Sequence, residues 1–176
     1  MKKDERIILI DADVVSHFIS AGEMISIKAI FDIEVYILNK VYDELQKFPK
    51  RKLEVDNLLT LGIVKLLPFP EENEQIKKEY TYIKKNLFKG DGEAASLSVA
   101  RFTNNILASS NLKDIAEYCK MHKIDYLTTM DFLCEAFKKG LFDISRCNSF
   151  ITKVLNARSK LPVTKMEDYQ CKPLNF

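Results

Sequence analysis

The chain has 176 residues, 47% hydrophobic and 30% charged, with a formal net charge of +2. That length suits one domain with a buried core, and the composition excludes a disordered or fibrous chain. The small net charge excludes a strongly basic nucleic-acid funnel, and the longest apolar run near the start, residues 7–10, is too short for a signal-peptide core or a membrane span, so a cytoplasmic protein off the membrane is expected.

In chain order, residues 6–10 form an apolar run closed by Asp11, the pattern of a buried parallel strand. Residues 12–20 read as a helix with Val14, Val15, Phe18 and Ile19 inward, and residues 23–31 as a second helix. A strand over 34–38 precedes a helix that starts near Lys40 and stops before Pro49. Residues 52–61 read as an amphipathic helix ending at Gly62, and residues 63–67 as a strand ended by Pro68 and Pro70. A polar helix over 71–88 carries Ile76, Tyr80, Ile83 and Leu87 at core spacing. Gly90-Asp91-Gly92 breaks the chain, and a helix rich in small residues follows over 93–102. Then come a strand at 105–109, a helix from about Lys113, a short strand at 125–128, and helices at 130–139 and 144–158.

Strands alternating with helices imply an α/β fold with a central parallel sheet of about five strands, flanked by helices on both faces. No composition shift marks a linker, so residues 1–158 are expected to form one domain and residues 159–176 a C-terminal extension packed on it or on a partner. Among Cys119, Cys134, Cys147 and Cys171 no C-x-x-C pair occurs, and the chain has 2 histidines. Neither structural zinc nor a disulfide is expected, and Cys119 and Cys134 read as reduced core residues. Basic residues cluster at Lys47, Lys50, Arg51 and Lys52, at Lys77 and Lys78, and at Lys84, Lys85 and Lys89; they suit solvated helix faces or contacts to phosphate.

Ligands of parallel α/β folds sit beyond the carboxyl ends of the strands. Asp11 ends the first strand there, and Asn111 and Asp114 lie just past the fourth. Taken singly, Asp11 reads as a helix N-cap, Glu44 as a surface acid, and Glu93 as an acid favoured in the first turn of a helix. Their recurrence at matching positions of successive units is what single roles leave unexplained.

In order, these segments resemble the PIN-domain family of small metal-dependent ribonucleases, over about residues 7–158. Residues Ile8-Leu9-Ile10-Asp11-Ala12-Asp13-Val14-Val15 resemble its opening strand and first aspartate, and Val41-Tyr42-Asp43-Glu44-Leu45 its second acidic position. Gly92-Glu93-Ala94-Ala95 is similar to the helix start of one bacterial and archaeal branch, and Asn111-Leu112-Lys113-Asp114 to the asparagine-x-x-aspartate form of toxin-type members. Where many members carry an aspartate directly after the fourth strand, this chain has Ser109, Ser110 and Asn111.

The resemblance implies an endoribonuclease in which Asp11, Glu44, Glu93 and Asp114 hold Mg²⁺ or Mn²⁺, with Asp13, Asp91, Ser109, Ser110 and Asn111 in support. Either Asp91 or Glu93 qualifies as the third acid. The implied partners are RNA, a small antitoxin protein and a second copy of the chain. Two alternatives stay open. One is a PIN-like binding protein without catalysis. The other is a phosphatase resembling the haloacid dehalogenases, with Asp11 as nucleophile, Asp13 as acid or base, and Ser109, Lys123, Asp131 and Glu135 in its later motifs.

Overall fold

The computed structural model describes residues 6–87 and 89–174, except for the side chain of Asp114. The predicted helix end at Phe88 and the last two residues of the extension lie outside the described residues.

Five strands form one all-parallel sheet: β1 (Ile8–Ile10), β2 (Val35–Leu38), β3 (Lys65–Leu67), β4 (Ile106–Ala108) and β5 (Tyr126–Leu127). Their spatial order is β3-β2-β1-β4-β5, which puts the first strand in the middle. All three residues of β1 are buried, as a strand covered on both faces requires. At the edge, β3 exposes Lys65 and Leu66, and Lys65 pairs with Glu34; charge on an edge discourages further strand pairing.

The helices are α1 (Ala12–Ala21), α2 (Ile27–Ile30), α3 (Asn39–Leu45), α4 (Pro49–Thr60), α5 (Glu74–Asn86), α6 (Asp91–Phe102), α7 (Leu112–His122), α8 (Thr129–Lys138) and α9 (Ile144–Asn156). From β1 the chain moves outward through β2 to β3, then returns past β1 to β4 and β5. Right-handed crossovers in opposite directions place their helices on opposite faces. Thus α1 packs on α9 and α2 on α8, while α5, α6 and α7 pack in succession. Phe18 meets Phe132 and Phe150 edge-on at 5.5 and 5.0 Å, and Phe31 meets Phe132 at 5.0 Å, so α1, α8, α9 and the residue that ends α2 share one aromatic cluster. No helix among the described residues is long and apolar enough to cross a membrane.

Several boundaries differ from expectation. Pro49, read as a stop, is the first residue of α4; a proline fits there because the first turn needs no N–H partner and its φ is already helical. The helix expected from Glu71 starts at Glu74, because the Asn73 side chain accepts from the N–H groups of Gln75 and Ile76, both at 3.1 Å. The segment 23–31 splits into a 3₁₀ turn (Met24–Ser26) and α2. Leu87, expected inward, is 44% exposed.

The larger correction concerns the cysteines. Cys134 on α8 is bonded to Cys171, with their Cα atoms 5.8 Å apart, whereas no disulfide was expected. Cys119 and Cys147 are buried free thiols. After α9 the chain doubles back over the body, where Met166 is buried and its N–H donates to Asn148 Oδ1 at 2.7 Å. Asn148 in turn donates to Glu167 at 2.9 Å, and Lys172 pairs with Asp131 at 3.4 Å. The fold thus returns residue 171 to a helix 37 residues upstream.

Candidate metal centre

The order β2-β1-β4 makes the gap between β1 and β4 the topological switch point, where the crossovers diverge and leave a crevice at the carboxyl ends of the strands. Asp11 directly follows β1 at that edge and is buried there. Its N–H continues the ladder to Ala108 O at 2.9 Å, and its Oδ1 accepts from Ala12 N–H at 2.9 Å, so it does cap α1. A cap alone leaves its surroundings unexplained. Burial holds the Asp11 carboxyl well above the usual carboxylate range, and Asp13, Glu93 and Glu44 each push it further in the same direction.

Asp13 is raised as well, chiefly by burial, against backbone N–H groups that favour its charged form. Its Oδ2 accepts from Ser110 N–H at 2.7 Å, tying the first turn of α1 to the loop after β4.

Glu44 arrives from α3, directly after β2. Its Oε1 accepts from Gly92 N–H at 2.9 Å in the first turn of α6, where the helix dipole favours an anion. This contact favours glycine. A Cβ on residue 92 would stand 2.8 Å from Glu44 Oε2 and 3.1 Å from the Val41 Cα. The glycine before Glu93 therefore brings α3 and α6 together rather than loosening a turn.

α6 ends just before β4, so its N-terminus returns to the carboxyl edge of the sheet with Glu93. Glu93 Oε1 accepts from Asn111 Nδ2 at 3.0 Å. Asn111 occupies the N-cap position of α7 without capping it through its side chain, which bonds Glu93 instead. Between the two acids near Gly90, the geometry separates the roles. Asp91 accepts from Tyr80 at 2.6 Å and pairs with Lys84, whose bond holds its carboxyl below the usual range. Glu93 adds its charge to the surroundings of Asp11, whereas Asp91 is neutralised by Lys84 of α5.

The two serines work inside the loop. Ser109 is fully buried, and its Oγ accepts from Asn111 N–H at 3.4 Å. Ser110 Oγ accepts from Thr129 N–H and donates to Thr129 Oγ1, both at 2.8 Å, and Thr129 Oγ1 lies 2.7 Å from His17 Nδ1. Sequence reasoning missed His17 and Thr129. The cap pattern Thr128-x-x-Asp131, realised as a capping box, was the available signal that this segment is fixed in place. Asp114 lies in the first turn of α7, and its side chain is outside the described residues.

The structure therefore brings Asp11, Asp13, Glu44 and Glu93 into one electrostatic neighbourhood, with Asn111 beside them. Among the described residues no lysine or arginine pairs with Asp11, Asp13 or Glu44. Nor, among them, do three carboxylate, imidazole or thiol groups already stand together as a ready metal cage. Glu44 and Glu93 each commit an oxygen to a protein N–H, so closing on an ion would require side-chain adjustment. Hard oxygen donors in excess of positive charge suit Mg²⁺ or Mn²⁺, which keep part of their water.

The phosphatase constellation is not assembled. Lys123 closes α7 before β5, at the opposite edge of the sheet. Asp131 is buried in the capping box with Thr128 and paired with Lys172. No family model matches the chain, and no curated protein matches it.

Proposed function

We propose that this chain is a PIN-like endoribonuclease that hydrolyses RNA phosphodiesters with Mg²⁺ or Mn²⁺. One observation carries the reading: Asp11 is buried at the switch point among Asp13, Glu93 and Glu44, all raising its carboxyl, an arrangement that a cation would relieve. Asp11, Glu44 and Glu93 would hold the ion, with Asp114 as a fourth ligand from α7. When bound, the metal supplies water activation and charge neutralisation at the scissile phosphate.

The protein's part is orientation. Asp11 is aimed by its bonds to Ala12 and to the β1–β4 ladder. Asn111 steers Glu93, and Gly92 steers Glu44. Asp13, gripped by Ser110, adds negative charge and fixes the loop that carries Asn111. Water attacks phosphorus, the bond to the 3′ oxygen breaks, and the products carry a 5′-phosphate and a 3′-hydroxyl. Through the same resemblance, a small antitoxin that covers the acidic cluster and a second copy of the chain are the proposed protein partners.

The test incubates single-stranded and structured RNA with Mn²⁺ or EDTA, beside Asp11→Asn, which can still cap α1. Metal-dependent cleavage to 5′-phosphate ends, lost in the variant, is the expected result. Intact RNA with no Mn²⁺ binding would make the chain a binding module on this scaffold. Intact RNA with hydrolysis of a small phosphomonoester through Asp11 would make it a phosphatase.

A further inference from the structure

Beside the carboxylates lies a second feature that the metal reading does not use. A cleft of about 410 Å³ opens between the β4–α7 loop and the C-terminal extension, within the size range of small-ligand sites. Ser110 and Asn111 line one side, and these same residues bond Asp13 and Glu93. The cleft and the carboxylate cluster therefore share a wall. Leu161 and Tyr169 of the extension, with Met130 behind them, supply an apolar and aromatic lining. Lys113 and Lys160 stand at the cleft from opposite sides of the chain, both exposed, and among the described residues no carboxylate pairs with either.

We propose that this cleft receives one unpaired nucleotide of the RNA strand next to the bond being cut, its base against Leu161 and Tyr169 and its flanking phosphates on Lys113 and Lys160. This rests on the nuclease reading, which it deepens by naming the residues that grip the strand beside the cut. The charge pattern selects the occupant. An anion with a flat apolar part directly attached, as a nucleotide has within one unit, matches two lysines beside an aromatic lining. A rigid duplex keeps its bases stacked and paired, so it cannot place one in such a cleft without opening.

The extension is held in place for this role. The Cys134–Cys171 bond, the Lys172–Asp131 pair and buried Met166 anchor its far end. Leu161 and Tyr169 thus become walls of a site on the body.

Fluorescence anisotropy with a labelled single-stranded RNA 12-mer, in EDTA so that nothing is cut, tests the proposal with the full chain. The double variant Lys113→Ala/Lys160→Ala should bind about tenfold more weakly, and the slope of log affinity against log salt should flatten by about 1.4, the value for two lost phosphate contacts on a single strand. Leu161→Asp should weaken binding at least about fivefold, as loss of a base contact does. Lys77→Ala/Lys78→Ala, on α5, which does not line the cleft, serves as the control for general charge. Circular dichroism checks that each variant is folded.

Equal loss from the α5 control, an unchanged salt slope, or duplex RNA binding as tightly as single strand would overturn the cleft. Metal-dependent cleavage lost in Asp11→Asn, with RNA binding indifferent to Lys113, Lys160 and Leu161, leaves the nuclease and removes the cleft. Cleft-dependent binding without any cleavage leaves the cleft and removes the nuclease.

Discussion

At the scale of single residues, the site depends on close approach more than on charge count. Gly92 shows this best: its missing side chain lets Glu44 reach the first turn of α6. Gly92→Ala should therefore lower stability by about 1–3 kcal/mol through overpacking, because one of the atoms it meets is backbone, and should weaken Mn²⁺ binding as Glu44 is displaced. Thermal melts with and without Mn²⁺ measure both, and a variant with unchanged values would show that Glu44 does not depend on that contact. His17 is a second case, 5% exposed and lowered by burial to about 4. Because Ser110 donates to Thr129 Oγ1, the Thr129 hydroxyl can donate to His17 Nδ1, which needs a neutral ring. The folded pKa lies below the unfolded value, so this contribution is complete above pH 6.5 and is lost as pH falls from there toward 4. At about 1.4 kcal/mol per unit the loss is about 3 kcal/mol. His17→Asn should flatten the acid limb of stability against pH by that amount in denaturant titrations at pH 7 and pH 4, and an unchanged limb would remove His17 as its source.

At the scale of elements, hydrophobic periodicity located every strand, because a run such as Ile8-Leu9-Ile10 can be buried in few other ways. Element ends were harder to read where two rules competed. Pro49 satisfies both a helix stop and a helix start, and only the short turn after Leu45 in space decides for the start. The extension was least readable. Its anchor joins Cys134 to Cys171, and neither cysteine has a neighbour at a spacing that signals a bond. Cys171→Ser should consequently cost about 2–4 kcal/mol, since it frees a closed loop of this length in the unfolded chain, and a reductant should lower wild-type stability to the same level. If the nucleotide cleft is formed as proposed, the same variant should also weaken single-stranded RNA binding. Stability and RNA affinity that both survive reduction would mean that the ion pair and Met166 suffice to hold the extension.

At the scale of the whole molecule, the acids were visible in sequence as recurring punctuation after strands, and their convergence on Asp11 was expected only through the family resemblance, not from the pattern itself. That convergence requires β1 to lie between β2 and β4, a strand order that periodicity does not encode. The network from His17 through Thr129 to Ser110 was hidden for the same reason, since it joins three segments that only the sheet order brings together. The arrangement has a thermodynamic consequence. With burial and three carboxylates all penalising its charge, Asp11 should destabilise the metal-free protein at neutral pH. In EDTA at pH 7, Asp11→Asn should therefore melt above wild type, by about 1–2 kcal/mol, because asparagine keeps the cap and drops the charge. Mn²⁺ should reverse the order. At a hundredfold excess over its dissociation constant it adds about 2.7 kcal/mol to wild type alone, which for a domain of this size is a rise of about 5–10 °C. Differential scanning fluorimetry of both proteins in EDTA, Mg²⁺ and Mn²⁺ reads the whole pattern. A wild type indifferent to metal, or a variant less stable than wild type in EDTA, would show that Asp11 serves the fold as a helix cap and not as the centre of a metal site.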